Sequence, residues 1–305
     1  MTDFPQLVTA PDAKVDVSAW ISEHREALLT DVERVGAVLM RGFPLHTDLD
    51  FDGAIASFGL PGFTYQQSLS NAVRKERTER VFTANEAPPD VEIFLHHEMA
   101  QTPIFPSKLF FFCELAPTVG GATPLCRSDL LLEQLQQQLP EFVAKCREHG
   151  VRYTNVMPGE ADAMSGQGRS WKSTLDCSDQ ATAEARLASL GYSWQWQDDG
   201  SLRATTPALP AIRSLPSGTE VFFNQLIAAY MGWKDARNAT SKVVRFGDDS
   251  AISDADMGQV AALAEALTFD LQWQAGDMVI VDNFLVMHGR RPFQGRRGVL
   301  AALVA

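Results

Sequence analysis

The sequence predicts a mainly β fold, with a closed or sandwiched β-core and helices packed outside it. Two observations lead there. Short, uncharged runs of apolar and aromatic residues recur along the chain to its last residues, and only a few segments repeat their apolar residues at helical spacing. No internal repeat, low-complexity tract or long linker divides the 305 residues, so the expectation is one domain over residues 1–305 with a lid-like insertion at about 153–220.

Taken in order, Ser18–Gly36 brings Trp20, Ile21, Leu28, Leu29, Val32 and Val35 to helical spacing, and Ala37–Arg41 (AVLMR) is a buried strand before Gly42. Phe51–Phe58 is a short helix stopped near Gly59. A loop at Pro88-Pro89-Asp90 precedes Phe94-Leu95, which leads into a histidine pair. Leu109–Cys113 (LFFFC), aromatic and uncharged, is the strongest strand signal in the chain. Gly120-Gly121 is a turn. Ser128 is expected to cap a long helix through Leu130–Glu148 that Pro140 breaks or kinks. The middle, from Tyr153 to Gly218, is mixed, with Trp171, Trp194 and Trp196 and a hairpin around Asp199-Gly200. Asp254–Leu267 is a helix with Ser253 as N-cap. Strands are expected at Leu271–Gln274, Met278–Val281 and Val299–Val304, with a turn at Ala275–Asp277.

Charge and cysteine usage narrow the partners. Lys and Arg number 26 against 38 Asp and Glu, a net charge of −12, which gives no general attraction to nucleic acid or anionic lipid. No apolar run is long enough to span a bilayer, and the opening residues lack the basic-then-apolar order of a secretory signal. Cys113, Cys126, Cys146 and Cys177 are spaced as neither a zinc nor a disulfide framework, so reduced thiols in a cytoplasmic protein are expected. A small-molecule substrate is the remaining class of partner; oligomeric state is not legible.

The sharpest chemical feature is Leu95-His96-His97-Glu98-Met99, on or just after a strand. In an extended chain, residues two apart face the same way, so His96 and Glu98 address one point while His97 turns aside. A third ligand is available in His288, which follows the strand Met278–Val281. Two histidines and a carboxylate make the facial set that holds iron(II) with positions left open. The triplet alone is common by chance. Thr123 and the pair Arg296-Arg297 strengthen it, because a guanidinium and a hydroxyl can hold the far carboxylate of a keto diacid chelated at the metal. Two other classes stay open: a zinc hydrolase on the same ligands, which needs neither Thr123 nor an arginine, and a non-catalytic jelly-roll binding protein, which needs no metal ligands at all.

These residues, in this order, resemble the taurine dioxygenase and clavaminate synthase superfamily of iron(II)/2-oxoglutarate oxygenases, most closely its SyrP-like branch. The matching stretches run from about Ala37 to the C-terminus. They include Phe58-Gly59 with Tyr65, Ala87-Pro88-Pro89-Asp90, Leu95–Glu98, Ile104–Cys113, Gly120–Pro124, Phe222–Gln225, Gly276-Asp277, Asp282-Asn283, His288-Gly289-Arg290 and Gly295-Arg296-Arg297. The resemblance implies a double-stranded β-helix, a clavaminate synthase-like jelly roll. It implies iron(II) on His96, Glu98 and His288, with 2-oxoglutarate and dioxygen as co-substrates. It makes Thr123 and Arg297 the 2-oxoglutarate contacts, with Arg296 as the fallback, and puts Tyr65, Glu92, His97, Asn224 and Gln225 near the substrate. The implied reaction is hydroxylation of an unactivated C–H bond in an amino acid or a derivative, free or carrier-tethered, in natural-product biosynthesis; desaturation or cyclisation is the alternative outcome. Related halogenases lack the carboxylate that Glu98 provides, so hydroxylation is expected over halogenation. Sulfonate-using members carry a further arginine four places after the anchor. Here Ala301 stands there, which argues against a sulfonate substrate.

Overall fold

The run Leu109–Cys113 is apolar at every position because both of its faces are covered. The computed structural model describes residues 4–64, 69–70, 74–84, 87–162, 168–232 and 243–305, and places this run in the strand Lys108–Leu115 inside a large sheet. Across that sheet the order is Gln6–Thr9, Ala37–Arg41, Met278–Asp282, Lys108–Leu115, Gly298–Val304 and Gly62–Phe63, with Phe82–Thr83 also on Gly298–Val304. Gln6–Thr9 runs parallel to its neighbour, and the other pairs are antiparallel.

The pleat sends alternate side chains to opposite faces. Phe110, Phe112, Val38, Met40, Ile280, Leu300 and Ala302 meet the helices Val17–Val35 and Asp48–Ala56 through Ile21, Leu28, Val32, Phe51 and Ile55. Leu109, Phe111, Cys113, Leu39, Val279, Val281, Ala301 and Leu303 pack on the other side. There they meet a second antiparallel sheet, ordered Phe269–Leu271, Thr123–Arg127, Val286–Arg290, Ile93–His96, through Leu125, Val286 and Leu271. The back of this second sheet (Leu95, Cys126, Met287) is closed by the helices Ser128–Gln138, Pro140–His149, Leu226–Gly232 and Asp254–Ala266. Two facing sheets with flanking helices make the double-stranded β-helix. Each buried Leu, Ile or Phe contributes about 2 kcal/mol, which is why the pleat fixes the register so firmly.

A third sheet, Ser193–Trp196, Leu202–Thr205, Val151–Met157 and Val244–Phe246, stands beside this core. With the helices Trp171–Thr174 and Gln180–Ser189 it encloses a small core of its own, including Leu175, Ala183, Leu187, Leu202 and Ala204. Trp171 is buried in it and donates to Gly200 O at 3.2 Å, so it packs and does not project. The hairpin at Asp199-Gly200 joins two of these strands.

Four local expectations are corrected. Ser128 does not cap its helix: its hydroxyl donates to Leu285 O at 3.0 Å, Arg127 occupies the cap without a side-chain bond, and Pro140 starts a separate second helix. The helix expected from Phe51 begins at Asp48, because Thr47 and Asp50 form a capping box. The strand expected at Leu271–Gln274 is Phe269–Leu271, since the chain leaves the ladder after Leu271. His288 does not merely follow Met278–Asp282. It sits on its own strand, Val286–Arg290, after a turn in which Asp282 Oδ1 accepts from Phe284 N and Leu285 N. The cysteines are free, and no helix among the described residues is long and apolar enough to cross a membrane.

Candidate metal and co-substrate site

Leu95 and Met287 face the helices, so their chain neighbours His96 and His288 face the space between the two sheets. They are also direct partners across the antiparallel ladder, and their ring centroids lie 4.4 Å apart. Glu98 joins them from the turn after Ile93–His96. Its Oε2 is 3.5 Å from His288 Nε2 and 4.0 Å from His96 Nε2, and one ligand atom from each residue lies within 4.8 Å of the others.

The surroundings aim these groups. His96 Nδ1 donates to Phe94 O at 2.8 Å, which leaves the Nε2 lone pair toward the centre. Asn283 grips the backbone of Glu98 on both sides: its Oδ1 accepts from Glu98 N at 2.7 Å, and its Nδ2 donates to Glu98 O at 3.0 Å and Pro106 O at 2.8 Å. Gly289 is needed for a close approach. A Cβ there would lie 2.3 Å from Ile93 O, inside the strand pair that carries both histidines.

Electrostatics favour a bound cation. Burial alone would raise the Glu98 carboxyl, but Arg74, then His288 and His96, outweigh it and hold the group well below the usual carboxylate range. Arg74 donates to both Glu98 oxygens, at 3.2 and 3.3 Å. Burial first, then His288, pushes His96 down to about 4, so it stands neutral and able to ligate at neutral pH.

Beside the three residues a cavity is lined by Arg74, His96, Phe111, Thr123, His288 and Arg297, among others. Arg297 donates through Nε to Gly121 O at 3.0 Å and through a terminal nitrogen to Thr123 Oγ1 at 3.4 Å. Gly121 sits at φ +69°, and a Cβ there would come within 3.2 Å of the Arg297 side chain and 2.8 Å of Pro117. Burial pushes the Arg297 guanidinium down to about 10, with Arg290 adding to the fall. Among the described residues no carboxylate stands within salt-bridge reach of it. Thr123 Oγ1 accepts from Trp273 Nε1 at 3.0 Å as well as from Arg297, so its own hydroxyl proton is left to donate. Arg296 is exposed.

The other side chains expected near substrate hold the fold together. Glu92 pairs with Arg291 at 2.9 Å. His97 is fully buried, bonded through Nδ1 to Asn283 O and packed on Phe223. Asn224 donates to Ala211 O and accepts from Leu226 N, and Gln225 donates to His97 O. None of these four lines the cavity beside His96. Tyr65 lies outside the described residues. Ala301 is buried opposite Phe111 and Phe82 in the final strand. Arg74, Asn283 as a clamp, and Trp273 were not singled out from sequence; only Asn283 had a signal, in the Asp-Asn turn before His288.

A protein-family model for the taurine catabolism dioxygenases, the TauD, TfdA family, matches residues 2–303 of the chain. The chain belongs to the TauD/TfdA family. A clavaminate synthase-like protein of Arabidopsis thaliana is 38% identical to it over 309 aligned positions, covering 98% of this chain and 93% of that protein. The dapdiamide synthesis protein DdaC of Enterobacter agglomerans is 28% identical over 311, covering 98% and 90%. Among solved structures, an asparagine oxygenase in complex with Fe(II), 2S,3S-3-hydroxyasparagine and succinate has the same fold, with a TM-score of 0.57 at 12% identity over 98% of this chain and 93% of that one.

As a TauD/TfdA protein the chain is an Fe(II)- and 2-oxoglutarate-dependent dioxygenase, and its own residues fit both groups. Two imidazoles and one ionised carboxylate converge in one cluster, the donor set suited to iron(II). The partly buried Arg297 guanidinium and the Thr123 hydroxyl proton fit an anion such as a carboxylate.

In this TauD/TfdA dioxygenase Arg74 supplies the countercharge to Glu98 that the metal otherwise provides. Arg74→Met is therefore expected to destabilise the metal-free protein by about 3 kcal/mol, because it takes from a buried carboxylate the cation that does most to hold it ionised. Added Mn(II) should then raise the melting temperature more in the variant than in the wild type. Equal metal-induced shifts in the two proteins would show that Arg74 does not compensate Glu98.

Proposed function

We propose that this dioxygenase, a member of the SyrP-like branch, hydroxylates an unactivated C–H bond of an amino acid or amino-acid derivative in natural-product biosynthesis. The substrate is taken free or tethered to a carrier, in the cytoplasm. His96, Glu98 and His288 hold the metal, and Arg297 and Thr123 hold the far carboxylate of 2-oxoglutarate. The observation that carries the reading is one cavity lined by His96 and His288 of the three-ligand cluster and by Arg297, a partly buried guanidinium lacking a carboxylate partner among the described residues. The likeness to a dapdiamide synthesis protein supports a biosynthetic role, and the asparagine oxygenase of the same fold, bound to 3-hydroxyasparagine, is the precedent for an amino-acid substrate. Glu98 fills the position that halide needs, which favours hydroxylation.

Bound iron supplies the coupling of dioxygen reduction to oxidation of substrate, with 2-oxoglutarate converted to succinate and carbon dioxide. The chain does the rest. His96 presents Nε2 because Phe94 O holds its other nitrogen. Asn283 fixes the turn that delivers Glu98. Arg297 and Thr123 orient the diacid by its far end, and Phe111 and Val299 line the cavity with apolar surface that keeps bulk water away.

Anaerobic addition of 2-oxoglutarate to the Fe(II)-loaded protein should give a visible charge-transfer band, and amino acids should stimulate succinate release in air. A protein that binds iron but neither develops the band nor consumes 2-oxoglutarate would sink the assignment and leave a zinc hydrolase or a binding protein.

A further inference from the structure

Trp273 stands behind the co-substrate cavity and reaches it only through Thr123. The strand Phe269–Leu271 pairs with Thr123–Arg127, and its last residue, Leu271, lies opposite Thr123. The chain then leaves the ladder, and Gln272–Gln274 is held from both sides by one ion pair. Gln272 O accepts from Arg41 at 3.0 Å, and Gln274 N donates to Asp277 Oδ2 at 2.8 Å. Arg41 in turn meets both oxygens of the buried Asp277, at 2.9 and 2.6 Å. Between these two holds Trp273 is buried, and its indole N–H donates to Thr123 Oγ1 at 3.0 Å. Thr123 and Arg297 line the cavity, whereas Trp273 is not part of its wall.

A threonine hydroxyl has one proton to give and two lone pairs to receive with. At Thr123 an indole and a guanidinium both donate to the oxygen. Neither of those groups can accept, so their roles cannot reverse. With its lone pairs so engaged, the hydroxyl can meet a ligand only as a donor, and an ionised carboxylate only accepts. Take the indole N–H away and one lone pair opens, which frees the hydroxyl to turn. The Arg297 contact, at 3.4 Å, is longer than an ordinary N–H···O bond and holds it poorly alone. A buried indole needs an acceptor for its own sake. What singles out Trp273 is its choice of acceptor, a cavity-lining hydroxyl shared with Arg297.

We propose that Trp273 is a positioning residue for 2-oxoglutarate: its indole N–H orients the Thr123 hydroxyl so that the hydroxyl proton points at the far carboxylate. The proposal rests on the assignment of Thr123 and Arg297 to that carboxylate, and it adds the residue that sets the polarity of the contact. Trp273 acts only through Thr123, so its effect falls on co-substrate binding and not on the oxidation.

Trp273→Phe keeps an aromatic ring in the core and removes the N–H. Binding is read anaerobically from the charge-transfer band of the Fe(II)-loaded protein. The probes are 2-oxoglutarate and 2-oxovalerate, a keto monoacid of the same length without the far carboxylate. Trp273→Phe should weaken 2-oxoglutarate about fivefold, the value of one hydrogen bond, and leave 2-oxovalerate unchanged. In turnover the loss should appear in the KM for 2-oxoglutarate, with kcat unchanged. In a Thr123→Val background, with no hydroxyl to orient, Trp273→Phe should cost nothing further. Trp273→His carries a ring N–H at the same remove from Cβ. It should bind both keto acids as the wild type does, and it serves as the test should the Phe variant not fold. Equal weakening of the two keto acids, a penalty that persists beside Thr123→Val, no penalty from Trp273→Phe, or loss of 2-oxoglutarate binding in Trp273→His overturns the proposal while Thr123 keeps its role. If Thr123→Val itself binds 2-oxoglutarate as the wild type does, the assignment of Thr123 falls and takes the proposal with it.

Discussion

Glu98→Gln should abolish turnover and weaken metal retention by at least the ~100-fold that loss of even an outer-shell partner of a ligand can reach. The substitution keeps the shape of the side chain and removes its charge. In the native protein that charge survives burial because Arg74, His288 and His96 outweigh desolvation. A neutral amide faces the same two imidazoles without the negative pole that draws a divalent cation into a dry site, and it leaves the Arg74 guanidinium without its ion-pair partner there. Mn(II) titration followed by electron paramagnetic resonance measures the first effect directly, without relying on activity. Arg74→Met provides the complementary case, a site with the carboxylate present and its built-in countercharge removed. If Glu98→Gln binds Mn(II) as the wild type does, the three-residue cluster is not the metal site.

Part of this site is legible in the sequence because a strand has a period of two. The structure follows that period where Phe110 and Phe112 part from Phe111. His96 and Glu98 do converge, but the strand ends at His96, and Glu98 arrives from a turn held by Asn283 and not from the pleat. His288 could be named from sequence but not placed. Val279–Met287 is apolar apart from Asp282-Asn283, so the turn between two strands is hidden in what reads as one buried run. What the sequence could not reveal is set by contacts between distant segments. Arg74, Arg77 and Arg80 stand at equal spacing in one basic stretch. Arg77 pairs with Asp48 and Glu114 and Arg80 with Asp52 on the outer surface, while Arg74 alone of the three turns to Glu98. Ser128 has the composition of a helix cap, but a carbonyl from the Asp282–Leu285 turn claims its hydroxyl. Tertiary packing gives each of these residues its role, and local propensity is silent on the choice.

Arg297→Met should leave metal binding intact and weaken 2-oxoglutarate by about 100-fold or more, the ~3 kcal/mol typical of truncating one partner of a buried, hydrogen-bonded charge pair. The native protein already bears a cost at this arginine without its co-substrate. Burial has already pushed the guanidinium down to about 10, and Gly121 O and Thr123 Oγ1 give it only neutral partners. A carboxylate arriving there relieves that penalty, and this makes the contact selective for a diacid over a monoacid of the same length. Thermal melts separate this account from a structural role for the arginine. The wild type should gain stability as 2-oxoglutarate is added, by mass action on the folded state, whereas the variant should not. Without ligand the variant should melt at or above the wild-type temperature, since methionine fills the same space with no cation to desolvate. Arg297→Lys should recover little, because an ammonium cannot supply the planar fork that meets a carboxylate with two bonds. Arg296→Gln, altering the exposed neighbour, should change nothing. If Arg296→Gln, and not Arg297→Met, abolishes the ligand-induced shift, the anchor is Arg296 and not Arg297.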